Sequence, residues 1–184
     1  MAILTGKKIQ QEVEAGRIYI SDFDPKRLGP NSYNLRLGDK LKFYNIQYLK
    51  QQNEHWFLDA CLDPKQNNPL MEIDIAPRKL LMPGQGYLGM TQEVTGTDFY
   101  VPRIEGRSSV GRLFMNVHST AGFGDIGFRG HWTLEISVVE PVYIYPGMEI
   151  CQIYFETVEG EIELYKGKYQ NNEGIQGSEI WREF

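Results

Sequence analysis

The sequence predicts an all-β fold, a barrel or a sandwich carrying a few short helices. Three observations predict it. Short runs of alternating or apolar strand-forming residues recur from about residue 71 to residue 165. The turn dipeptides Pro83-Gly84 and Pro146-Gly147 each precede such a run. Helical spacing is confined to two brief stretches, near residues 5–16 and 108–115. The 184 residues suit one domain, and the 41% apolar share is enough for a sizeable core.

The elements follow in order. Thr5 caps a helix through Ile9 and Val13, and Gly16 stops it. Leu4, Ile9 and Val13 give that helix one apolar side. Residues 24–30 read as a turn-rich link. Leu35, Leu37, Leu41 and Phe43 all fall on odd positions, so residues 34–43 predict one alternating strand with a bulge at Gly38. From Asn45 to Pro69 the pattern fades into Gln, Asn, Pro and Asp, which predicts a long loop or insertion. Strands are then predicted at 71–75, 87–94, 99–104, 131–139, 142–145, 148–155 and 162–165. The stretch 108–115 is the exception. Ser108 or Ser109 caps a helical turn there, with Val110, Leu113 and Phe114 at helical spacing. No second domain is evident, so residues 1–184 read as one, with 166–184 as a mobile lid rich in Gly, Asn and Gln.

Composition excludes several classes. A net charge of −5 does not suit a duplex-binding protein, so no nucleic-acid partner is expected. No apolar run approaches the roughly 18 residues of a membrane span, and residues 1–8 lack the apolar stretch of a signal peptide. The expected location is the cytoplasm, with no membrane partner. Cys61 and Cys151 are too few for a disulfide framework. A zinc deaminase needs an H-x-E and a P-C-x-x-C element, and none of His55, His118 and His131 begins the first. Ser108, His118 and Asp125 compose a hydrolase triad only on paper, since no G-x-S-x-G elbow supports it.

A different inventory stands out. Arg107-Ser108-Ser109-Val110-Gly111-Arg112 is followed by Thr120-Ala121-Gly122-Phe123-Gly124-Asp125 and then Thr133-Leu134-Glu135. Arginines hold phosphate oxygens, serines donate hydrogen bonds, and a carboxylate on a rigid strand moves protons. These residues suit an anionic ligand bearing a polar ring. Each also has a plainer reading. Glu135 could be a solvated or paired strand carboxylate, Arg112 its ion-pair partner, and Asp125 a turn former. On their own, His118 and His131 read as structural, and Tyr143, Tyr145, Tyr154 and Phe155 as fillers of strand faces.

The segment 106–155 resembles dCTP deaminase of the dUTPase-related superfamily. The likeness rests on Gly106 to Leu113, on Val117-His118-Ser119-Thr120-Ala121-Gly122-Phe123, and on Thr133-Leu134-Glu135. Asn31 to Leu37 and Gly167 to Gly174 resemble further family elements. The resemblance implies a distorted dUTPase-like β-barrel (β-clip) that assembles as a homotrimer with sites at subunit interfaces. It implies dCTP as substrate, no zinc, no metal held by the protein, and Mg2+ carried on the triphosphate. Residue by residue, it makes Glu135 the proton shuttle. Ser108 and the Ala121 carbonyl position the attacking water, and Arg112 stabilises the reacting site. Arg107 and Ser109 take phosphate on a turn that includes Val110 and Gly111. Asp125 holds the deoxyribose, and Thr133 and Leu134 read the base through their backbone. Tyr165, Lys168 and Asn172 belong to the tail that closes over the triphosphate.

The expected activity is hydrolytic deamination of dCTP to dUTP and ammonia. The alternative is a bifunctional enzyme that also cleaves the triphosphate, giving dUMP and diphosphate. Gly122 within Ala121-Gly122-Phe123 resembles bifunctional members, whereas Gly124-Asp125-Ile126-Gly127-Phe128 resembles members that only deaminate. A dUTPase and a non-catalytic nucleotide sensor are weaker alternatives.

Overall fold

The computed structural model describes residues 2–45 and 61–184. Most of the loop expected over 45–69 therefore lies outside the described residues. Eleven short strands dominate the described residues. They are β1 (Tyr19–Ile20), β2 (Tyr33–Arg36), β3 (Lys40–Tyr44), β4 (Leu70–Asp74), β5 (Lys79–Leu81) and β6 (Tyr87–Gly96). They continue with β7 (Val101–Gly106), β8 (Met115–Asn116), β9 (Arg129–Val138), β10 (Val142–Ile144) and β11 (Glu149–Glu156). The all-β expectation holds, with three hydrogen-bonded ladders among the described residues rather than one closed barrel. One ladder runs β4-β3-β6-β9-β8, with β1 also on β6; the others are β2-β11-β7 and β10-β5.

Alternation explains the layering. Leu134, Ile136 and Val138 of β9 are buried, while Thr133, Glu135 and Ser137 between them face the other way. Leu41 of β3, Leu35 of β2, Ile104 of β7, Leu81 of β5 and Ile153 and Phe155 of β11 join the same core, so one core serves all three ladders. Helix α1 (Gly6–Glu14) is capped by the Thr5 hydroxyl as expected, and Gly16 follows it at φ 71°.

Two buried carboxylates anchor the frame. Glu93 of β6 is fully buried and accepts from the Arg27 guanidinium, from Arg36 Nε at 2.6 Å and from the Arg36 backbone N–H at 2.9 Å. Glu12 of α1 accepts from Arg17, from Lys8 at 2.8 Å and from the Tyr100 hydroxyl at 2.8 Å. The Arg17 guanidinium holds Glu12 far below the usual carboxylate range, against the opposing effect of burial.

The structure departs from the sequence reading in several places, beginning with the short strands β1, β5 and β8, which were not expected. The single strand expected over 34–43 is two strands in two ladders. Leu37 donates to Met148 O and Gly38 to Met90 O, so the chain changes partners where a bulge was expected. The helix near 108 spans only Ser108–Gly111, with Arg107 and not a serine at the N-cap. Phe114, at φ 54°, turns the chain out of the helix, and Leu113 and Phe114 are exposed. Residues 162–165 form no strand; Tyr165 N donates to Ile126 O at 2.8 Å, and Tyr165 O accepts from Gln170 Nε2 at 3.4 Å. Among the described residues no helix is long and apolar enough to cross a membrane.

Candidate active site

The solvent-facing side of β9 builds the floor of a cavity. Strand alternation puts His131, Thr133 and Glu135 on that side. The cavity holds about 500 Å³, within the range that binds small molecules. Its lining brings together Ala121, Asp125, Thr133, Glu135, Tyr165 and Asn172, which lie up to 51 positions apart in the chain. A neighbouring recess of about 320 Å³ shares Glu135, Tyr44 and Leu88, so Glu135 sits at the junction of the two. Glu135 is half-buried. One of its oxygens, Oε2, accepts the Ser119 backbone N–H at 2.8 Å, which fixes the carboxylate.

The loop carrying Ala121 and Asp125 is held close by glycine. A Cβ on Gly124 would lie 2.2 Å from the Trp132 ring, and one on Gly122 would lie 2.6 Å from Ile104 O and 3.0 Å from the His118 ring. Without side chains there, the loop presses onto β7, where Ile104 N donates to Gly122 O at 2.7 Å. Trp132 is fixed in turn by an indole N–H bond to Thr95 Oγ1 at 2.7 Å and by Phe128 packed against its ring.

The tail forms the opposite wall. His131 N donates to Asn172 O at 2.9 Å, and Asn171 N donates to Arg129 O at 2.8 Å. The Asn172 amide donates to His131 O at 3.0 Å, and its oxygen accepts from Gly174 N. Asn172 is buried, and these groups clamp the tail along β9. Lys168 does not line the cavity; its ammonium pairs with Glu183, which raises its pKa.

Among the described residues, none of Arg107, Ser108, Ser109, Val110, Gly111 and Arg112 lines this cavity. Val110 is buried in the core, while Ser108, Ser109, Gly111 and Arg112 are exposed. Arg107 donates to Glu149 O at 2.8 Å and pairs with the Glu149 carboxylate at 3.1 Å. That carboxylate also accepts from Asn34 Nδ2 at 3.0 Å. The Leu134 side chain points into the core, leaving only its backbone toward the site. Sequence reasoning missed Tyr44, Phe123, Phe128, His131, Trp132 and Gln176 as lining residues. The period-two pattern of β9 could have found His131 beside Thr133. Nothing in the sequence signals Gln176, because only the docked tail puts it there.

A sequence profile described as dCTP deaminase-like matches residues 3–158. The chain belongs to that family. The tail, from 159 onward, lies beyond the matched residues. The chain is 49% identical to "dCTP deaminase, dUMP-forming" of Clostridium beijerinckii, covering 99% of this chain and 98% of that one. It is 50% identical to the protein of the same name from Leptospira biflexa, with the same coverage. A 2'-deoxycytidine 5'-triphosphate deaminase from Agrobacterium tumefaciens shares the fold, with a TM-score of 0.63 and 21% identity. That alignment covers 85% of this chain and 48% of the solved one, so this chain spans about half of its length.

The relatives' names overturn the expectation of a deaminase that stops at dUTP, because they form dUMP. Of the two conflicting signals in the loop, the one at Gly122 agrees with them. Its physical content is the tight seat against Ile104 and His118, which leaves no room for a larger side chain.

Proposed function

We propose that the protein is a bifunctional dCTP deaminase, converting dCTP and two waters to dUMP, ammonia and diphosphate. The observation that carries the reading is the convergence of Ala121, Asp125, Thr133 and Glu135 on one cavity, in a chain about half identical to dUMP-forming relatives over its whole length.

Glu135 takes the proton of a water held at the Ala121 carbonyl as that water attacks C4 of the cytosine. The proton passes to N3, which makes the ring electrophilic, and the carboxyl then assists departure of the amine as ammonia. General acid–base assistance of this kind is worth on the order of 10²–10⁴-fold. Thr133 and Leu134 meet the base edge through backbone groups, and Asp125 accepts a hydrogen bond from the sugar hydroxyl. The second water attacks the α-phosphorus and releases diphosphate. Mg2+ would travel with the triphosphate, as the resemblance implies, and would offset charge on the phosphates; no residue of this chain is assigned to hold it.

The turn 107–112 carries the remaining assigned groups and stands apart from the cavity of its own chain. We assign it to the cavity of a neighbouring copy in a homotrimer, where Ser108 and Arg112 approach the water and Arg107 and Ser109 the phosphates. Leu113, Phe114 and Val139 are exposed beside this turn and would be covered by that neighbour. A fully active monomer in light scattering would refute the shared site. Ion-exchange analysis after incubation with dCTP and Mg2+ tests the reaction: dUMP and diphosphate are expected in equal amounts, and dUTP accumulating as the end product would refute it.

A further inference from the structure

We infer that the side-chain oxygen of Gln176 accepts a hydrogen bond from the exocyclic amine of the bound base, making Gln176 a specificity-determining residue for cytosine over uracil. The inference rests on the proposed deaminase reading and adds a residue to it. Gln176 lines the cavity. Its Oε1 is buried and has no hydrogen-bond partner among the described residues. Leaving a buried acceptor unpaired is unfavourable, and a ligand that brings a donor removes that cost.

The position of Gln176 selects the donor. The tail runs parallel to β9, bridging at Gly130 and Asn172. Four residues later, Gln176 N donates to Thr133 Oγ1 at 3.3 Å, and Ser178 N then donates to Tyr44 OH at 3.0 Å. Tyr44 borders both recesses together with Glu135. Gln176 therefore sits at Thr133, which the Asn172 amide also reaches at 3.5 Å, and Thr133 is two residues along β9 from Glu135, where the base is placed. In that region cytosine offers an N–H2 donor at C4, whereas uracil offers an oxygen. An orphan acceptor favours the first and repels the second. After deamination the same oxygen faces the O4 carbonyl of the uracil, which weakens the product's hold.

The test compares Gln176→Leu and Gln176→Glu with the unmodified protein. kcat/KM for ammonia release from dCTP is read beside the dissociation constant of dUTP, with thermal unfolding to confirm folding. Gln176→Leu is expected to lower kcat/KM about tenfold, the worth of one hydrogen bond of about 1.4 kcal/mol, while dUTP binds as well or better. Gln176→Glu retains only acceptors and is expected to keep the preference for cytosine. Equal effects of Gln176→Leu on dCTP and dUTP would overturn the inference, as would loss of the preference in Gln176→Glu. If the unmodified protein releases no ammonia from dCTP, the deaminase reading itself fails. An active protein whose preference ignores residue 176 refutes only the inference.

Discussion

Replacing Glu135 by Gln tests the proposed chemistry most directly. The carboxylate is fixed by the Ser119 N–H at 2.8 Å on Oε2, and a glutamine carbonyl oxygen can accept the same bond. Shape and anchoring therefore survive, and the change in folding stability should stay below about 1 kcal/mol. On the proposed mechanism, what is lost is the base that takes the water's proton, together with the acid that later protonates the amine. Each proton transfer is worth on the order of 10²–10⁴-fold, or about 2.7–5.4 kcal/mol of barrier. One residue serves both, so the fall in ammonia release belongs at or beyond the upper end of that range. Single-turnover ammonia release measures it, and calorimetric titration with dCTP should show affinity held within several-fold. Activity within tenfold of the unmodified enzyme would refute the proton-shuttle role. Loss of dCTP affinity with turnover of the bound fraction intact would make Glu135 a binding group instead.

Three further outcomes follow from the frame and the tail. Glu93→Leu strips the acceptor from two largely buried guanidinium groups and should cost about 3–5 kcal/mol, a fall in Tm of roughly 6–20 °C; a change below 1 kcal/mol in urea unfolding would show that Arg27 and Arg36 find other partners. Glu12 titrates far below its ordinary value in the fold, so its contribution is present above the unfolded value near pH 4.3 and fades as pH falls toward the folded value. The stability gap between the unmodified protein and Glu12→Gln should therefore close progressively below about pH 4.3, and a gap unchanged from pH 7 to pH 3 would contradict the coupling. Truncation before Tyr165 removes the wall formed by Tyr165, Tyr169, Asn172 and Gln176, and should raise the KM for dCTP and lower kcat while the body stays folded. Unchanged kinetic constants would refute the lid, and global unfolding would make the tail a structural element.

The sequence by itself determined the all-β class and the longer strands, the α1 cap at Thr5 and the residues of the 107–135 segment, because all of these are local. Period-two alternation in β6, β9 and β11 shows in the order of residues, and a cap or a turn needs only a few neighbours. The resemblance likewise rests on contiguous motifs. Only the tertiary structure decided which of those motifs meet. Ala121, Asp125 and Glu135 share one cavity, while the turn 107–112 does not line it, and no spacing along the chain could separate the two cases. The change of ladder at Gly38 depended on Met90 and Met148, which lie more than fifty residues away. The tail shows the difference most clearly. Its composition, rich in Gly, Asn and Gln, signals only a lid, whereas a handful of hydrogen bonds to β9 dock it and bring Gln176 into the cavity with an acceptor unpaired. Those partners lie about forty residues away in sequence, and the burial that makes the unpaired oxygen matter exists only once the chain has folded around it.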